Sequence, residues 1–169
     1  IRSSYQFKKN DFELNLLQEY FLNIGMGKTS TSGHEGYGLN YLMKNKDLII
    51  MNKKNQISHA KKIALQMYDN GYTKPIQRND IKVLGQQALG AFYVGADSML
   101  VGGYISDHDK KIAKKISNIL AGGNLSQSTL VSEQYLLDLE REAFLSLCGE
   151  RKTRERIQFM LNNGKPVRN

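Results

Sequence analysis

A chain of 169 residues is long enough to bury one hydrophobic core. Two prolines, no tryptophan and many Leu, Lys, Glu and Ala argue against a strand-rich sandwich and for helices. A formal net charge of +8 attracts phosphates, whether on nucleic acid, coenzyme A or a lipid surface, without choosing among them. In chain order, Asp11 can cap a first helix that carries Leu14, Leu17, Phe21 and Ile24 at spacings of three or four, weakened at its far end by Gly25 and Gly27. Ser32 followed by Glu35 has capping-box spacing and predicts a short helix to about residue 41. Residues 47–51 contain Leu48, Ile49 and Ile50 and are the one strand candidate. A helix is expected over 54–70, with Ala60, Ala64, Met67 and Tyr68 inward and Lys61 and Lys62 in water. Gly71 stops it and Pro75 prevents its resumption.

Residues 73–82 read as a linker, and everything after them as helical. A largely apolar helix over 86–101, expected to be buried all round, ends at Gly102 and Gly103. Ser106 caps the next helix, and Asp107 and Asp109 fall in its first turn, where the helix dipole favours negative charge. Ile112, Ile116, Ile119 and Leu120 form its inner face, Lys110, Lys111, Lys114 and Lys115 the opposite one, and Gly122 and Gly123 close it. Ser132 opens a helix to residue 148 with Leu136, Leu139, Ala143 and Leu147 along one face, ended by Gly149. Thr153 starts a last helix to residue 163, stopped by Gly164 and Pro166. There is no internal repeat and no low-complexity tract.

The chain begins at Ile1 rather than Met, which reads as processing or truncation, and its start lacks the basic stretch and apolar run of a signal peptide. Its longest mostly apolar stretch, 88–101, is broken by Gly90, Tyr93, Gly95, Asp97 and Ser98. That is short of the roughly 20 residues a membrane span needs. The single Cys148, in the apolar run Phe144, Leu145, Leu147, reads as a small buried hydrophobe. One unpaired cysteine with no basic neighbour fits a reducing cytoplasm.

Candidate chemistry is sparse. Gly25-Met26-Gly27-Lys28-Thr29 suggests a phosphate loop, but the required first glycine is replaced by Leu22, and a helix rather than a strand leads into it. Gly102-Gly103 and Gly122-Gly123 resemble turns that offer N–H groups to an oxyanion, yet each sits where a helix must stop, and a left-handed cap accounts for it. His34, His59 and His108 have no identifiable carboxylate partner and read as surface or cap histidines. Three scattered histidines and one cysteine give no metal-ligand spacing. The lysine quartet 110, 111, 114 and 115 reads first as a solvated helix face and second as a phosphate-docking patch. It lacks the aromatic or Arg interleaving of a nucleic-acid reader.

The segment 134–147, Gln-Tyr-Leu-Leu-Asp-Leu-Glu-Arg-Glu-Ala-Phe-Leu-Ser-Leu, resembles the C-terminus of the bacterial multifunctional enzymes that join 3-hydroxyacyl-CoA dehydrogenase to enoyl-CoA hydratase. So do Arg156-Ile157-Gln158-Phe159-Met160-Leu161, the ending Gly164-Lys165-Pro166-Val167-Arg168-Asn169, and Tyr104-Ile105-Ser106-Asp107-His108-Asp109 with the Lys-Ile-Ala-Lys-Lys at 111–115. Upstream, residues 28–32 through Gly38-Leu39 are similar to the stretch of a crotonase domain just past its catalytic half, although Gly25, Gly27 and Gly33 stand where that family mostly has alanine. The family's working parts have no counterpart here. No glutamate pair sits in the hydratase's glycine-rich context, no strand leads into Gly-x-Gly-x-x-Gly, and neither Pro75 nor Pro166 follows an asparagine as in the dehydrogenase histidine motif.

The expected fold is all-α, a mostly helical fragment with at most one short strand near 47–51. The resemblance implies that residues 1–75 end a crotonase-like domain and that 76–169 form a C-terminal helical extension. It implies a cytoplasmic parent enzyme that hydrates trans-2-enoyl-CoA and oxidises the resulting 3-hydroxyacyl-CoA with NAD. For this chain it implies a structural role without activity of its own, with no catalytic, cofactor-binding or metal-binding residue. The expected partners are the remainder of the parent, the parent's acyl-CoA substrate and, through bare apolar faces, other copies of the chain; no specific nucleic acid and no membrane span are expected. The competing class is a free-standing basic helical module that binds nucleic acid.

Overall fold

The computed structural model describes residues 13–169, and the expected first cap, Asp11, lies outside them. Among the described residues there are seven α-helices: α1 (Glu13–Gly25), α2 (Gly33–Gly38), α3 (Gln56–Asp69), α4 (Gln86–Val101), α5 (Asp107–Ala121), α6 (Glu133–Cys148) and α7 (Arg151–Asn163). A 3-10 turn (Lys53–Asn55) precedes α3, and two strands of three residues, β1 (Ile81–Val83) and β2 (Thr129–Val131), complete the set. The chain is therefore mostly helical, as its composition predicts. Two compact units are formed, one by the described part of 1–27 together with 77–169, the other by 28–76.

In the larger unit the core is built where small residues let helices approach. Ala88, Phe92 and Ala96 on α4, and Ala113, Ser117 and Ala121 on α5, recur at spacings of four and are all buried. The isoleucines expected to form the inner face of α5 flank this stripe, half-buried. Ser117 is fully enclosed and satisfied by donating to the Ala113 carbonyl at 2.7 Å. Helix α1 brings Leu17 and Phe21 onto this pair, and the Phe21 ring stacks on Phe92 at 4.9 Å between centroids. Helix α4 is not buried all round: Val94 is 67% and Val101 89% exposed. Only one of its faces meets α1 and α5, which is as much of a helix surface as two neighbours can cover.

The strands lie in stretches without any strand signal, one at the end of the expected linker. They pair antiparallel, Ile81 with Val131, Lys82 with Leu130 and Val83 with Thr129. Ile81 and Val83 point inward, and Lys82 points out to pair with Glu13 at 2.6 Å. Gly122 caps α5 at φ +79°, and a Cβ there would stand 2.5 Å from the Val83 side chain. The Tyr135 hydroxyl donates to the Gly122 carbonyl at 3.0 Å, so β1, the end of α5 and the start of α6 meet at one residue. Helix α6 buries Ala143 and half-buries Leu136, Leu139 and Leu147, the face that the spacing predicts. Helix α7 starts two residues before Thr153, at Arg151 after Glu150, because the Thr153 hydroxyl serves a different partner.

In the smaller unit, Ser32 caps α2 by accepting from Glu35 N–H at 3.1 Å. The box is only half made, because the Glu35 carboxylate accepts from the N–H and hydroxyl of Thr31, each at 2.6 Å. The helix ends at Gly38, three residues early. Residues 47–51 form no strand, since no neighbouring strand offers a ladder. Ile49 packs on Gly33 instead, the Asp47 carboxylate accepts from Met43 N–H at 2.7 Å, and the Asp47 carbonyl accepts from the Tyr37 hydroxyl at 2.7 Å. On α3 the expected inner stripe of Ala60, Ala64, Met67 and Tyr68 is exposed, and only Ile63 is half-buried. Nothing else within this unit lies over it.

Candidate functional site

The densest polar constellation gathers at the start of α5. Ser106 and Asp109 form a complete capping box: the Ser106 hydroxyl accepts from Asp109 N–H at 3.2 Å, and the Asp109 carboxylate accepts from Ser106 N–H at 3.0 Å. That carboxylate also takes the Arg156 guanidinium at 2.6 Å, with both side chains four-fifths covered. Arg156 then donates to Asn169 twice, to the side-chain oxygen at 2.7 Å and the main-chain oxygen at 3.2 Å. Burial alone would raise the Asp109 pKa. Hydrogen bonds from Ser106 N–H, the Arg156 guanidinium and the Ser106 hydroxyl outweigh it and hold the carboxyl below its ordinary value.

His108, one position before Asp109, is 5% exposed rather than a surface histidine, with Nε2 3.0 Å from the Thr153 hydroxyl. Burial, then the charges of Arg156 and Lys152, push its pKa down against the opposing pull of Glu150 and Asp109. Such an imidazole exchanges one hydrogen bond with the threonine hydroxyl, and its ring is almost wholly enclosed by the chain. The arrangement fastens α7 and residue 169 to the start of α5. His34, which meets Tyr37 edge-on at 6.4 Å between ring centres, and His59 are exposed on the other unit. Among the described residues no three His, Cys, Asp or Glu side chains are grouped to hold a metal.

The glycine motifs are helix stops. Gly25 and Gly27 end α1, and the N–H groups of Met26 and Gly27 are spent on the Leu22 and Ile24 carbonyls at 2.9 and 3.0 Å. A helix C-terminus repels a phosphate that an N-terminus would attract. Both strands run into helices, β2 through Ser132 to α6 and β1 through Gly85 to α4, and the glycine junction after β1 is filled by the chain itself. Gln86 N–H donates to the Leu125 carbonyl at 2.8 Å, and a Cβ on Gly85 would lie 2.3 Å from the same oxygen. That junction does not fit the pyrophosphate of a dinucleotide.

Three lysines of the quartet are engaged inside the chain. Lys110 pairs with Asp97 at 2.6 Å, Lys111 with Glu150 at 2.6 Å, and Lys114 lies over the Tyr93 ring at 5.2 Å. Lys115 instead edges an open groove of about 440 Å³ between α5 and α6, floored by Ile116, Ile119, Ala143 and Leu147. Leu137, Glu140, Arg141 and Phe144 form its α6 wall. The inner stripe of α6 hides this second one in the sequence; the breadth of the apolar arc, with Leu137 and Phe144 beside Leu136 and Ala143, is the signal for it. Cys148 is half-buried beyond the groove, and Arg154 donates to its carbonyl at 3.1 Å. Among the described residues no helix is long and apolar enough to cross a membrane.

No protein-family model matches the chain, and no solved structure matches it. Among curated proteins it is 43% identical over 156 residues to one from Bacillus subtilis (strain 168) named "Probable 3-hydroxyacyl-CoA dehydrogenase". The match takes in 92% of this chain and 20% of the relative, so the chain spans about one fifth of that protein's length. By sequence, then, it is a homologue of one segment of a 3-hydroxyacyl-CoA dehydrogenase so named.

Proposed function

We propose that this chain is the C-terminal structural part of a larger β-oxidation enzyme that oxidises 3-hydroxyacyl-CoA with NAD and also hydrates trans-2-enoyl-CoA. The observation that carries the reading is the 43% identity along nearly the whole chain to a dehydrogenase about five times longer. Residues 1–75 close a crotonase-like part and 76–169 form a helical extension, with α1 packing into the later unit. In this reading NAD and the reacting atoms belong to the rest of the polypeptide. The spent N–H groups at Gly27 and Gln86 and the enclosed His108 support that assignment. What the chain contributes is rigidity, with Arg156, Asp109 and Asn169 fastening its last helix.

Two assays test the reading. The 169-residue chain alone is expected neither to reduce NAD with 3-hydroxybutyryl-CoA nor to hydrate crotonyl-CoA, while the natural-length protein does both. Turnover by the purified chain, or a natural-length protein inactive on both substrates, overturns it. The second reading, a basic nucleic-acid module, draws on the smaller unit, where eight lysines face three carboxylates between residues 28 and 76. It predicts binding that survives physiological salt. Loss of three of the quartet's lysines to contacts inside the chain supports weak, salt-labile binding instead.

A further inference from the structure

Helix α6 carries two apolar stripes, and the structure covers only one. Leu136, Leu139, Ala143 and Leu147 face inward, while Leu137 and Phe144, 39% and 58% exposed, stand in the groove wall with Glu140 and Arg141 between them. The spacing of Leu137, Arg141 and Phe144 is four then three, so they share one side of the helix. The order along that side is apolar, anion, cation, apolar. Reversed end for end, it meets its own complement. Leu137 falls opposite Phe144 and Glu140 opposite Arg141, each contact occurring twice about a two-fold axis between residues 140 and 141. Among the described residues Glu140 has no ion-pair partner, and the one Arg141 has, Asp138 at 2.6 Å, is exposed and adjacent on the same helix.

We propose that this face is a two-fold interface, on which α6 of a second copy lies antiparallel with its Phe144 seated in the groove between α5 and α6. The occupant is another copy because the charge order is self-complementary, which an unrelated helix has no reason to match. Ile116 and Ile119 on α5 give Phe144 of the second copy its far wall, with Lys115 at the rim. The proposal stands on this surface alone, independent of what the parent enzyme catalyses.

Sedimentation equilibrium on the natural-length protein tests it. A reversible two-fold dimer is expected. Glu140→Arg or Arg141→Glu alone sets like charges opposite each other twice and weakens association by about tenfold or more. The double exchange Glu140→Arg with Arg141→Glu restores it, because each new arginine then faces a new glutamate. Phe144→Gln weakens it too, and since that ring is already exposed, the circular dichroism of the variant matches the parent. A monomer at every concentration, a trimer, single variants that associate normally, or a double exchange that fails to recover each overturns the assignment. So does a natural-length monomer in which Phe144 is shielded by another segment of its own polypeptide.

Discussion

A single methyl group separates two classes of glycine in this chain. At Gly122, φ is +79° and an added Cβ meets Val83 at 2.5 Å; at Gly71, φ is +72° and nothing lies within 4 Å. Gly71→Ala should therefore cost only the left-handed backbone penalty of about 1–2 kcal/mol. Gly122→Ala adds overpacking against β1, for a total of about 2–5 kcal/mol. Urea unfolding of the two variants measures the difference, and equal losses would mean β1 yields without cost. His108 gives a pH signature. Its folded pKa is depressed, so the unfolded chain takes up a proton below about pH 6.5 that the folded chain refuses. Stability should be complete above that pH and fall as pH drops through it, levelling off below the folded value. His108→Gln should flatten this slope below about pH 6.5. Asp109 does not blur the result. Its pKa is also lowered, so its contribution is present above the ordinary carboxylate range, about pH 3.9, and is lost only below it.

Helix α4 shows how unequal two faces of one element are. Phe92 is 1% exposed and stacked on Phe21, whereas Val94, two residues on, is 67% exposed. Phe92→Ala should cost about 3–5 kcal/mol and Val94→Ala less than about 0.5 kcal/mol, by chemical denaturation. A similar loss at both would place the core elsewhere. The bounds of α4 and the caps of α5 and α6 were legible in the sequence because each depends on residues a few positions apart: Ser106 with Asp109, Ser132 with the Tyr135 N–H. Where the deciding partner is remote, legibility fails. Thr153 looks like a cap, but its hydroxyl is taken by His108 from 45 positions away. Leu48-Ile49-Ile50 looks like a strand and has no strand beside it, while β1 and β2, three residues each, acquire their form from one another. The α5–α6 groove was illegible for the same reason. Its walls come from different helices, and only their packing shows that Lys115 and Phe144 share it.

Across the whole molecule, the smaller unit leaves the apolar side of α3 bare, with Ile57 84% and Tyr68 80% exposed. Apolar surface on that scale usually has a partner. If the rest of a longer enzyme supplies it, Ile57→Gln with Tyr68→Ser should leave the isolated chain within about 0.5 kcal/mol of the parent and destabilise the natural-length protein by about 2 kcal/mol or more. Equal effects in both, read from thermal unfolding, would leave α3 without a role in assembly. The larger unit is closed differently. Its two-stranded ribbon joins residue 81 to 131, and α4 and α5 both lie in the loop between. Those helices are neighbours in sequence and can find each other over a five-residue turn, whereas the ribbon must first gather a span of about fifty residues, at a greater entropic cost. The ribbon is thus the clasp and the helix pair its contents. In refolding the pair should gain protection from hydrogen exchange before the clasp shuts. In the native state the amides of β1 and β2 should exchange sooner than that of Phe92, so the chain opens first at the place where its order in time was last made.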